Sequence, residues 1–195
     1  FRKEEVTSRR CLLAPQGAAA HDAAWFRATL PRLETARLFL RAADLTDFSL
    51  WSRLMRGPYA PRLGGPLTEE EAWEAYCVYT AGWLLHGHGL WAIDQKGAQR
   101  PVGFVLVGLE WTDDEPELGW MLDPTARGQG LATEAAAAAR DHAVSVLPRG
   151  GVVSYIDPDN APSARLAARL GAHRDRAAEA AIGDGTQVWR HGVAA

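Results

Sequence analysis

The sequence predicts a mixed α/β domain, one sheet carrying helices on both faces. Three observations lead there. Short runs that alternate apolar and polar residues, or run apolar throughout, are interleaved with segments of helical period. Lys96-Gly97-Ala98-Gln99 joins two such runs, Leu90 to Asp94 and Val102 to Leu109, and reads as a hairpin turn. A short apolar strand, a glycine-bearing loop and a long alanine-rich helix follow one another from Glu117 to Val146.

Taken in order, residues 1–31 form an extension of unknown role, and His21 to Leu30 within it fits a helix carrying Trp25 and Phe26. A single domain is expected over 32–195. Ala36 to Ala42 is the first strand, and Asp44 caps a helix from Leu45 to Met55. Residues 57–66 are a loop. Thr68 and Glu71 form a T-x-x-E capping box that opens a second helix running to about Leu85. Trp73, Tyr76, Cys77 and Leu84 are expected on one face of it. After the hairpin come a strand at Leu118 to Leu122, the main helix at Leu131 to Val146, a strand at Val152 to Ile156 and a helix at Ser163 to Leu170. Gln187 to Arg190 closes the sheet.

Composition narrows the possibilities. The chain has 195 residues, 47% hydrophobic and 23% charged, enough for one ordinary core. A net charge of −3 without a clustered basic surface argues against direct nucleic-acid binding. Cys11 and Cys77, the two cysteines, lack metal or disulfide spacing, so no metal is expected and a reducing cytoplasm is the expected setting. No apolar stretch is long enough for a membrane span, and no continuous apolar signal region opens the chain.

The segment from Glu117 to Ala132, ELGWMLDPTARGQGLA, builds an anion site. Gly128 and Gly130 let main chain approach a ligand closely, and the following helix turns its unpaired N–H groups and positive dipole end toward it. The expected ligand is a pyrophosphate. A nucleotide P-loop is excluded, because Gly130 precedes Leu131, Ala132 and Thr133 rather than Lys-Ser/Thr. A dinucleotide fingerprint fits poorly, since Thr133 stands where a third small residue belongs.

Arg127, Gly130 and Ala132 match the Gln/Arg-x-x-Gly-x-Gly/Ala signature of the GNAT superfamily of N-acetyltransferases. Two further segments strengthen the likeness to its RimJ/RimL-like branch. Leu33-Glu34-Thr35-Ala36-Arg37-Leu38-Phe39-Leu40-Arg41, followed by Asp44 and Asp47, resembles the branch's opening motif. Tyr155 to Ser163, through Leu170-Gly171, resembles its N-x-x-S … L-G segment. The resemblance implies an α+β GNAT fold: a mixed, mostly antiparallel sheet whose two central strands, here 118–122 and 152–156, part in a V. It also implies acetyl-CoA as cosubstrate and a primary amine as acceptor. The main chain of Gly128, Gln129, Gly130, Leu131 and Ala132 would hold the pyrophosphate, with Arg127 adding charge. Trp120, Met121 and Leu122 would pair with the pantetheine arm and supply an oxyanion donor. Asn160 would face the pantetheine and Ser163 the coenzyme sulfur, although both also suit capping of the next helix. Position 167, where other superfamily members place a tyrosine, is alanine, leaving Tyr155 as a second proton donor. Ala168 and Ala172 also depart from the branch pattern.

Attack on a thioester needs a neutral amine. At pH 7 deprotonation costs about 1 kcal/mol for a peptide α-amine but about 4.6 for a lysine side chain. An α-amine therefore needs only a modest base. Glu110, Asp113, Asp114, Glu115 and Glu117 crowd the approach to the pantetheine strand, as a solvated turn or as a region attracting a cationic amine. Glu117, then Glu110, is the candidate base, with His86 and His88 as rivals. Trp51, Trp73, Trp83 and Trp91 are assigned to the core, and Trp111 to an acceptor pocket. The expected activity is direct acetyl transfer to a primary amine, a protein or peptide N-terminal α-amine in the RimJ/RimL sense, by a monomer or homodimer. Small amines of aminoglycoside or polyamine type, or a non-catalytic acyl-CoA-binding role, remain alternatives.

Overall fold

In the computed structural model, which describes residues 9–147 and 151–192, strands β1 (Leu33–Glu34), β2 (Leu38–Ala42), β3 (Leu90–Gln95), β4 (Pro101–Gly108), β5 (Glu117–Leu122), β6 (Gly151–Ile156), β7 (His173–Arg174) and β8 (Gln187–Gly192) share one sheet. Their order is β1-β2-β3-β4-β5-β6-β8-β7. All neighbouring pairs are antiparallel except β5 and β6. The hairpin at 96–99 forms as expected, with Gly97 in the left-handed region at φ +87°.

Alternation along the strands divides the core. In β3, Trp91 and Ile93 point to one face and Leu90 and Ala92 to the other; in β4, Val105 and Val107 oppose Phe104 and Leu106. Both faces are covered, so these strands read as apolar runs. One face meets α4 (Leu131–Val146), the other α2 (Phe48–Arg56) and α3 (Glu69–Leu85). Ala135, Ala139 and Ala143 of α4 are buried, so small side chains let its backbone lie close to the sheet. At the edge of that layer, Trp83 and Trp91 meet edge to face at 4.5 Å, a geometry worth about 1 kcal/mol beyond area burial.

Local chemistry accounts for the differences from expectation. The first strand is a hairpin rather than one run from Ala36. Thr35 turns the chain, its Oγ1 accepting from Leu38 N–H at 2.9 Å, so β2 starts at Leu38. Leu45–Asp47 forms a 3-10 turn before α2, because Asp44 accepts from Thr46 N–H at 2.8 Å while buried Asp47 holds the Arg41 guanidinium at 2.7 and 2.9 Å. The Thr68–Glu71 capping box of α3 is present, with Thr68 N–H donating to Glu71 Oε2 at 2.7 Å. On α3 the inward face is Ala72, Tyr76 and Trp83; Cys77 and Leu84, placed with them from sequence, are exposed. Helix α1 (Gly17–Thr29) starts four residues earlier than anticipated, and its Trp25 is exposed. Beyond α5 (Ala161–Arg169), strand β7 and helix α6 (Arg176–Ile182) were not anticipated. Asp175 caps α6 through Ala177 and Ala178 N–H at 3.1 and 3.0 Å, and Gly183 ends it at φ +76°.

What positions the site is the β5/β6 seam. A single register pair, Glu117 with Val153, joins the two strands, and Val153 N–H donates to Pro116 O at 3.0 Å. Beyond that point they part. The Leu118 carbonyl is taken instead by the Ser154 hydroxyl at 2.6 Å, and Ser154 Oγ lies 2.9 Å from Nε2 of His191 on β8.

Candidate active site

The open end of the split leads into a cavity of about 820 Å³. Trp120, Met121 and Leu122 line it from β5, Arg127, Gly128, Gly130, Leu131 and Ala132 from the loop and first turn of α4, and Asn160 and Ser163 from the start of α5. A Pro124–Ala126 turn, capped by Asp123 through Thr125 N–H at 3.0 Å, carries the chain from β5 into the loop. There Gly128 and Gly130 sit at φ +76° and +77°, on either side of Gln129. Left-handed geometry at alternate positions makes a concave run of main chain, continued by the free N–H groups of α4. A Cβ on Gly130 would meet only the Arg37 guanidinium, at 3.5 Å, so backbone conformation rather than lack of space calls for glycine.

Two loop side chains make local contacts. Arg127 donates to the Leu122 carbonyl from Nε and Nη2 at 3.2 and 3.1 Å and stacks over the Tyr59 ring at 3.8 Å, tying the end of β5 to the α2–α3 connection while still edging the cavity. Gln129 is absent from the cavity wall; its side chain bonds the Thr125 carbonyl at 3.3 Å.

On the far side of the split lies a second cavity, about 340 Å³. Glu110, Glu117 and Tyr155 line it, and Trp120, Met121, Asn160 and Ser163 belong to both walls. The four candidate catalytic residues therefore meet around one space. Glu117 sits deepest in charge terms: desolvation, then the carboxylates of Asp113 and Glu110, push its carboxyl up to about 8, with the Tyr155 N–H partly offsetting them. Tyr155 is pushed up to about 12 by desolvation and then by the neighbouring acids, so it holds its proton at neutral pH. Asn160 is buried and caps α5, its Oδ1 accepting from Ser163 N–H at 3.3 Å, so the structural role expected of it is present.

The acidic loop is more than a solvated turn. Glu115 forms a two-point ion pair with Arg190 at 2.5 and 2.8 Å, and Asp113 Oδ2 accepts from Glu110 N–H at 2.7 Å. Trp111 is fully exposed and lines neither cavity, which corrects its assignment to an acceptor pocket. His86 and His88 line neither; His88 is buried against the Val107 carbonyl at 2.7 Å. Trp51 is in the core as expected, donating to the Ala72 carbonyl at 2.8 Å.

Sequence reasoning missed Tyr79, whose hydroxyl donates to Glu110 and whose ring lines the second cavity. Its spacing of three from Tyr76 was the available signal. It also missed Arg62 and Leu63, which edge both cavities from a 3-10 turn inside the predicted loop and carried no periodic signal. Among the described residues no group of three or more His, Cys, Asp or Glu is placed to hold a metal ion, and no helix is long and apolar enough to cross a membrane.

A sheet split beside a glycine-bearing loop, with a carboxylate-lined space behind it, is the architecture of an acetyltransferase here, as the matches to known proteins show. The chain belongs to the Acetyltransferase (GNAT) domain family, which matches residues 37–173. An acetyltransferase structure from Agrobacterium tumefaciens str. C58 is 34% identical, covering 84% of this chain and 95% of its own, with a TM-score of 0.78. RimL, ribosomal L7/L12 alpha-N-protein acetyltransferase, in complex with coenzyme A, shares the fold at 17% identity, 84% and 98% coverage and a TM-score of 0.64. The uncharacterized N-acetyltransferase YnaD of Bacillus subtilis (strain 168) is 27% identical over 88 residues, 45% of this chain. The match spans about half, 52%, of that curated relative.

Proposed function

We propose that the protein transfers an acetyl group from acetyl-CoA directly to a primary amine, with a peptide or protein N-terminal α-amine as acceptor. The observation that carries this reading is the meeting of two cavities at one strand split. One is walled by the anion loop and the other by Glu110, Glu117 and Tyr155, with Ser163 common to both. The coenzyme's diphosphate lies against main chain 128–132 and its pantetheine along Trp120 to Leu122. The acetyl thioester then reaches the split, where the amine nitrogen enters from the second cavity.

The nitrogen attacks the carbonyl carbon, and a β5 main-chain N–H steadies the developing oxyanion. Glu117 takes the proton from nitrogen, directly or through one water. As the C–S bond breaks, the departing thiolate accepts a hydrogen bond from Ser163, with Tyr155 as the second donor, and is protonated through water by the proton that Glu117 took from nitrogen, which returns Glu117 to its starting state. The α-amine preference rests on the cost of neutralising the amine. At pH 7 an α-amine becomes neutral for about 1 kcal/mol and a lysine side chain, near 10.4, for about 4.6, so a carboxyl at about 8 has less to supply for an α-amine.

Thiol release from acetyl-CoA tests the reading against peptides with free N-termini, Nα-blocked lysine peptides, polyamines and aminoglycosides. Free N-termini are expected to give the highest kcat/KM. Equal or faster reaction of a lysine side chain or small polyamine removes the α-amine assignment. Coenzyme binding without release from any acceptor indicates a non-catalytic acyl-CoA-binding protein.

A further inference from the structure

Arg37 lies outside the anion loop, in the bend just before β2, and the mechanism above does not use it. Its surroundings give it a task. Nη1 donates to the Gln129 carbonyl at 2.9 Å, and Nε donates to Glu134 Oε2 at 2.6 Å. The Arg37 main-chain N–H and the Thr35 hydroxyl both reach Glu134 Oε1, at 2.9 and 2.6 Å. Thr35 and Arg37 thus clamp a carboxylate that stands in the first turn of α4 and lines the larger cavity.

Two physical consequences follow. In a trans peptide the C=O and the next N–H point in opposite directions. A guanidinium that holds the Gln129 carbonyl therefore fixes the Gly130 N–H on the opposite side of that peptide, and Gly130 lines the larger cavity. Second, an uncompensated carboxylate at this helix end would repel a diphosphate. Desolvation favours protonation of Glu134, yet Thr35 and Arg37 outweigh it and hold the carboxyl below its ordinary value, so Glu134 stays ionised and the Arg37 charge offsets it. Arg127 is not placed to do this, being committed to the Leu122 carbonyl and Tyr59.

We infer that Arg37 is a positioning residue for diphosphate recognition: from the bend before β2 it sets the Gln129–Gly130 peptide in its binding orientation and neutralises Glu134. This inference rests on the coenzyme reading above. The test compares acetyl-CoA with S-acetylpantetheine, which carries the same thioester arm without a diphosphate, by calorimetry and steady-state kinetics. Arg37→Gln is expected to raise Kd and KM for acetyl-CoA about tenfold, the size of one lost charge-assisted hydrogen bond. Its kcat at saturation and its kcat/KM for S-acetylpantetheine should stay within about twofold of wild type on that view. Arg37→Lys, which keeps the charge near Glu134 but lacks the planar fork, should fall between. Adding Glu134→Gln to Arg37→Gln should recover part of the affinity.

Unchanged acetyl-CoA affinity in Arg37→Gln and Arg37→Lys, or equal losses for both thioesters, overturns the inference and leaves the coenzyme reading standing. Failure of the wild-type protein to bind acetyl-CoA removes both. If Arg37→Gln does not fold, Arg37→Lys alone decides by the same comparison.

Discussion

Glu117 concentrates the residue-scale chemistry. Desolvation, with Asp113 and Glu110 nearby, raises its carboxyl from 4.5 to about 8, so at neutral pH much of it is protonated and unable to act as the proposed base. With an acceptor amine that is already neutral throughout, kcat/KM is expected to rise with pH and level off above about 8. Glu117→Gln should abolish that limb and most of the activity. The same shift affects stability. The unfolded chain releases this proton near 4.5 and the folded chain only near 8, so stability is complete below the lower value and declines as pH rises across the interval. Glu117→Gln should therefore melt higher than wild type at pH 8 and above, and an unchanged melting temperature there would count against a desolvated, raised carboxyl.

In the proposed mechanism Gly130 serves binding and Ser163 serves chemistry. Valine at 130 must adopt φ +77°, which is strained by about 1 to 3 kcal/mol, and the loop will relax away from its binding shape. Calorimetry on Gly130→Val is expected to show acetyl-CoA affinity reduced by about a hundredfold. Ser163→Ala keeps the main-chain N–H that Asn160 caps. Its coenzyme affinity should stay near wild type while kcat falls by about a hundredfold.

Two elements govern whether the site exists, α4 and the β5/β6 seam. The buried alanines of α4 set its distance from the sheet, and Ala139→Leu would overpack that contact at a cost of about 1 to 3 kcal/mol, readable as a lower urea midpoint. The seam holds its shape through Ser154, which bridges the Leu118 carbonyl to His191 where β6 can no longer follow β5. Because the Ser154 hydroxyl donates to that carbonyl, His191 Nε2 must carry the proton it offers to Ser154, and its Nδ1 is buried without a partner. Desolvation, then the Arg140 charge, lower this histidine from 6.5 to about 4. Stability linked to it is present above 6.5 and lost as pH falls toward 4, by up to about 1.4 kcal/mol per pH unit. His191→Gln should flatten the acid side of the stability profile in that window.

For the molecule as a whole, legibility followed sequence distance. The Thr68–Glu71 box, the turn at Gly97, the left-handed glycines at 128 and 130 and the limits of α4 are local devices, written in a few adjacent residues, and each forms where its residue types demand it. The inner face of α3 was less legible, since Cys77 and Leu84 share an apolar character with core positions that only packing distinguishes. Candidate site residues on β5, the loop and α5 carried motif signals, whereas Tyr79, Arg62 and Leu63 join the cavities by folding over from distant segments.

The sequence by itself determined the order of the main strands and helices from β2 to α5, the glycines of the 128–130 loop and the supply of acids around the start of β5, because turn chemistry, periodicity and capping act over a few residues. Only the tertiary structure decided which acid loses water and is raised to about 8, that Glu115 is spent on Arg190, and that Arg37 reaches across 92 positions to the Gln129 carbonyl. Those outcomes depend on which groups share a desolvated space, and desolvation and charge pairing are properties of distance in the folded chain.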